Sequence, residues 1–137
     1  MAHEIKVSTE AATIKANSWG AAMDGGLIRL YEGTKPATAN DSVAGATLLA
    51  EVGFGTPAFG GAVDGFITAL PLTKDSDADA TGTAEFYRLF RSDGTTPMGD
   101  GTCGMIGSGA DLEMSSTSVI EHGEVTCTGF THQEGLG

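Results

Sequence analysis

Asp75, Asp77 and Asp79 stand at alternate positions and form the densest set of hard oxygen ligands in the chain. Alternate carboxylates are how a calcium loop begins, but Ala80 stands where the sharp turn requires glycine, and Phe86 where a bidentate glutamate would close the shell. An EF-hand is excluded, and a looser cation site in an acidic loop is what stays open. Gly99-Asp100-Gly101-Thr102-Cys103-Gly104 matches G-x-G-x-x-G letter for letter. A dinucleotide fingerprint needs a strand before it, a helix after it and a parallel setting, whereas here MIGSGADLEM follows. His3, His122 and His132 lie near the termini or in a turn, with no H-E-x-x-H spacing and no G-x-S-x-G elbow. Cys103 and Cys127 have no C-x-x-C or paired-histidine spacing for zinc, so they are expected to be reduced, buried thiols. No residue is singled out as catalytic, cofactor-binding or metal-ligating, and an enzyme is the least favoured class.

Composition narrows the choice further. A chain of 137 residues suits one domain with a single core that needs no disulfides. Its 18 acidic and 7 basic residues leave a net charge of −11, which argues against a nucleic-acid-binding face. Arg91 is the last basic residue, so the acidic end beyond it is expected to face solvent, a basic partner or bound cations. Asn40-Asp41-Ser42 fits the glycosylation pattern, and with no recognisable signal sequence ahead of it marks only an exposed loop. No apolar run approaches the ~20 residues that span a bilayer, so no membrane partner is expected. The chain is expected to be made and kept in a cytosol, or released from it by lysis.

The elements that would position any site follow from patterning. In Thr83–Gly94, Phe86 and Phe90 share one face of an extended strand while Tyr87 and Leu89 occupy the other. Such a strand belongs at the centre of a sheet, and Asp93-Gly94 predicts a reversal into a return strand through Met98 towards Cys103. Residues 1–7 read as an N-terminal arm, with Ile5 and Val7 alternating with polar neighbours. A helix is predicted over about 8–24, capped by Ser8 or Thr9, with Ala12, Ala16, Trp19 and Met23 as its apolar stripe. Gly20 weakens that helix by about 1 kcal/mol relative to alanine. Strands are expected at 27–31, 47–52, 66–72, 110–114, 119–120 and 124–131, with Leu48, Ala50 and Val52 on one face of the second. An exposed loop covers 32–46, and 53–65 is a glycine-rich loop pinned by Phe54 and Phe59. The fold class is therefore mainly β: a single-domain antiparallel β-sandwich of about seven short strands with one N-terminal helix, spanning 8–132, and a tail at 133–137.

Four stretches carry a resemblance: Tyr31 to Ala37, Pro57 to Gly60, Arg88 to Gly94, and Ser116 to Val125. In them the chain resembles small β-rich structural proteins of tailed bacteriophages, over about residues 8–132. The Gly99–Gly104 stretch departs from that pattern, where a more apolar strand is expected. The resemblance implies a non-enzymatic virion component without cofactor or metal, most simply a capsid decoration (cement) protein on the outside of the head. Its implied partners are the major capsid protein and further copies of itself, a trimer being one candidate state. The alternatives are a tail accessory protein, or a carbohydrate- or host-surface-binding module using Trp19, Tyr31, Phe54 and Phe59. Contacts to partner subunits are expected from Ile5 and Val7 in the arm and from Phe130 and His132 in the last strand, because an exposed strand edge is a template for pairing.

Overall fold

The computed structural model describes residues 8–127 and 129–134. Along the chain come α1 (Thr9–Ala22), β1 (Leu27–Glu32), β2 (Thr47–Gly53), β3 (Phe66–Thr68), β4 (Gly82–Thr83) and β5 (Phe86–Phe90), then β6 (Pro97–Met105), β7 (Leu112–Met114), β8 (Ser118–Val119) and β9 (Thr131–Gln133). All five residues of β5 are buried, and β5 is the middle strand of a five-stranded sheet ordered β2-β1-β5-β6-β7. The prediction that this segment is the centre of the fold holds. So does the hairpin: Gly94 N–H donates to Arg91 O, Arg91 N–H donates to Thr96 O, and Gly94 takes φ 72°. The Asp93 carboxylate accepts from the Thr96 hydroxyl and from the backbone N–H groups of Thr95 and Thr96, which holds its carboxyl down at about 2.

Two short ribbons, β3 with β9 and β4 with β8, form a second layer together with α1. One face of the large sheet, carrying Ile28, Leu30, Val52, Tyr87 and Leu89, meets that layer in the main core. The helix packs through Ala12, Ala16 and Gly20, all buried at steps of four. Gly20 is thus a contact and not only a weakness, for a Cβ there would stand 3.1 Å from Ile67 Cδ1 and 3.4 Å from Phe59 Cδ2. Ser8 caps the helix by accepting from Ala11 N–H.

Several expectations are corrected. The architecture is mainly β and two-layered, but the large sheet is mixed: β7 runs parallel to β6, pairing Cys103 with Leu112 and Met105 with Met114. Parallel neighbours ordinarily need a long crossover. Here the paired stretch is so short that the 106–111 loop can double back, with Gly107 and Gly109 at positive φ and both N–H groups donating to Glu113 Oε2. The strands number nine among the described residues, because proline and glycine cut the long apolar segments into short ladders. The predicted 66–72 strand stops at Thr68, and the predicted 124–131 strand is replaced by β9 with a single bridge at Val125. Alternation fails there because Val125, Cys127 and Phe130 are all buried. In β2 a bulge opposite Leu30 and Tyr31 turns Leu49 into the core, so the face is not Leu48, Ala50 and Val52 alone.

Candidate functional site

On the outer face of β5 lies an arginine that the patterning left unassigned. Arg88 is 4 % exposed, and its guanidinium donates to Asp41 O, Thr38 O and Asp100 Oδ2. The hairpin register makes the ion pair, since Arg88 stands opposite Asp100. The carbonyls come from the 32–46 segment, so that loop is not simply exposed but is strapped across the sheet by one side chain. Beside the clamp, Tyr31 stacks on Phe86 at 5.1 Å and Arg29 lies 4.5 Å over the Phe90 ring.

The residues expected to contact partners fall in different places. Ile5 and Val7 lie outside the described residues. Phe130 is buried, its ring against Phe54, Phe59 and Tyr87. His132 is half-buried and stacks on Trp19 at 4.0 Å, with Nε2 3.3 Å from Glu134 Oε2, and so joins β9 to α1. The four rings weighed for sugar binding are also spoken for: Tyr31, Phe54 and Phe59 are buried, and Trp19 is half-covered between Phe59 and His132.

The acidic loop uses its carboxylates on the fold. Asp75 accepts from the N–H groups of Glu51 and Asp77, and Asp77 meets His122 Nδ1 at 2.7 Å. That hydrogen bond and the charges of Asp77 and Glu121 raise the pKa of His122, which stays exposed. Among the described residues no group of three or more His, Cys, Asp or Glu side chains is arranged to hold a metal ion. No helix among them is long and apolar enough to cross a membrane.

Cys103, half-buried in β6, and Cys127, buried in the segment before β9, are free thiols, so the expectation of buried thiols holds for Cys127 and only in part for Cys103. Burial pushes Cys103 up to about 12, helped by Cys127 and Asp111, and pushes Cys127 up to about 11. The thiolate is the reactive form, so both should be inert in the native state. A thiol reagent is expected to react slowly with folded protein and to titrate both cysteines on denaturation without reductant; a count of zero would reveal a disulfide and refute this.

A concavity lies between the β3–β9 ribbon and the edge of the big sheet. It encloses about 440 Å³, with Tyr87 and Phe130 beneath, Asp100 and Asp111 on one side, and Thr131 and His132 on the other. The strand β9 therefore presents one flank to a groove, as an interaction edge would, while Phe130, just before it, faces inward. Sequence reasoning had no access to the groove, because its two walls lie far apart in the chain. Apolar side chains also stand exposed near the ribbon: Val63, Phe66 and Leu70. No family model matches the chain, and neither a curated protein nor a solved structure matches it significantly.

Proposed function

We propose that this protein is a non-enzymatic virion component of a tailed bacteriophage, binding the outer surface of the head as a capsid decoration protein. The observation that carries the reading is the exposed apolar set Val63, Phe66 and Leu70 on and beside the β3–β9 ribbon, next to the segment from which partner contacts are expected. Apolar side chains grouped on a strongly acidic surface are a feature of proteins that work by contact. The resemblance of its turn and core motifs to those of phage structural proteins supplies the choice of particle. The four candidate rings are occupied inside or against the fold, which leaves the sugar-binding alternative without its platform.

In this reading the major capsid protein is the partner, the protein is displayed on the capsid exterior, and copies associate with one another around it. Purified protein added to shells that lack it is expected to co-sediment with them and to saturate at a fixed number of copies per shell. Failure to bind either heads or tails would refute the virion reading.

A further inference from the structure

The groove beside β9 continues along β7. A second concavity of about 270 Å³ shares Asp111, Phe130 and Thr131 with the first, and Glu113 borders it. Together they make a trough with a strand edge on each side. Among the described residues β7 is the outermost strand of its sheet, and β9 pairs only with β3.

Three observations say what would fill this trough. Unpaired strand edges recruit an extended chain, because its backbone supplies the missing hydrogen-bond partners. The charged groups lining the trough are the carboxylates Asp100, Asp111 and Glu113, with no lysine or arginine among the lining residues. Asp100 is already matched by Arg88, and Glu113 ties down the 106–111 loop, whereas Asp111 accepts only from Thr102 and meets no cationic side chain within 4 Å among the described residues. Finally, Tyr87 at the floor is 5 % exposed, and its hydroxyl makes no hydrogen bond among the described residues. That hydroxyl and Asp111 Oδ2 both border Gly101, where a Cβ would stand 2.6 Å from the Tyr87 oxygen and 2.9 Å from Asp111 Oδ2. Burial, followed by the charge of Asp111 and, less, of Asp100, raises the phenol's pKa, so it stays a neutral hydroxyl.

We propose that the trough captures an extended segment of a partner protein, which adds a strand between β7 and β9 and sets a lysine or arginine against Asp111 and the Tyr87 hydroxyl. Alternate side chains of an added strand point to the floor, so one cationic residue meets the carboxylate while its neighbours face outward. Phe66, 46 % exposed at the rim, covers the aliphatic stem. The inference goes beyond a virion role, for it concerns the chemistry of the segment and not the particle that bears it.

The test uses the full chain and a labelled peptide, acetyl-Thr-Val-Thr-Lys-Thr-Val-Thr-amide, beside the same peptide with glutamate at its centre. The lysine peptide is expected to bind saturably, and the glutamate peptide about tenfold more weakly or not at all. Asp111→Asn retains an acceptor for Thr102 and should weaken the lysine peptide about tenfold, while Tyr87→Phe should weaken it about threefold. Amide signals of β7 and β9 should shift on binding. Equal affinity for both peptides, undiminished binding by Asp111→Asn, unmoved amides in β7 and β9, or no binding at all would each overturn the proposal. Binding that appears only after residues 1–7 are deleted would assign the trough to the chain's own arm and would also overturn an outside partner. Shells play no part in this test, so its failure leaves the decoration reading standing, and the reverse holds too.

Discussion

Arg88→Met is expected to lower the free energy of unfolding by about 3–5 kcal/mol, the cost of removing one partner from a buried ion pair. The substitution keeps most of the side-chain volume, so a cavity is not the cause. It leaves the Asp100 carboxylate, 8 % exposed, without its guanidinium, and it leaves the carbonyls of Thr38 and Asp41 without their donor. Lys35 approaches Asp100 only to 3.9 Å and cannot replace a hydrogen-bonded guanidinium. Replacing both partners, with Arg88→Met and Asp100→Leu together, should recover much of the loss, because no charge is then stranded. Urea denaturation of the parent, the single variants and the double variant checks this. A single variant whose midpoint matches the parent's would show that the clamp does not hold the strap.

Phe86→Ala carries a similar penalty for a different reason. Phe86 is 1 % exposed in the central strand, and its ring lies nearly parallel to that of Tyr31, with an interplanar angle of 11°. Truncation removes the transfer energy of the ring and leaves a void that a strand hydrogen-bonded on both sides cannot close, for a cost of about 3–5 kcal/mol. Against a total stability of about 5–15 kcal/mol, that is enough to unfold a marginal domain. Phe66→Ala is the internal control, since Phe66 is exposed and a surface change usually stays within about 0.5 kcal/mol. Thermal melts of the two variants should separate widely, and coincident melts would place the core elsewhere.

Legibility in the sequence followed the range of the interactions. The centre of the sheet was readable because FYRLF is apolar on both faces and a strand shows both within five letters. The hairpin was readable because Asp93-Gly94 is local chemistry. Arg88 was not readable from pattern alone, as an arginine in a strand ordinarily points to water. Its signal was present nonetheless: a cation flanked by rings in a fully buried strand requires a carboxylate, and counting back across the turn reaches Asp100. The bulge at Leu49 has no sequence mark, for it depends on pairing with β1. The trough was the least legible feature, being made by Tyr87 and Asp111 on one side and residues beyond 129 on the other. Phe130, just ahead of β9, shows the same limit: its letter promised an apolar contact, and only the packing around it makes that contact internal.

The closure of β3 by β9 has a consequence for how the chain is made. Ile67 pairs with His132, and Phe130 completes the ring cluster of Phe54, Phe59 and Tyr87. A nascent chain leaving the ribosome can therefore assemble the β1, β2, β5 and β6 ladder while one wall of its interior is still inside the exit tunnel. Until Phe130 emerges, those rings face water and are open to chaperones or to neighbouring nascent chains. Gln133 must leave the exit tunnel before the interior is sealed, so a message truncated shortly before that codon would yield a chain with most of its sheet but no lid on its aromatic centre.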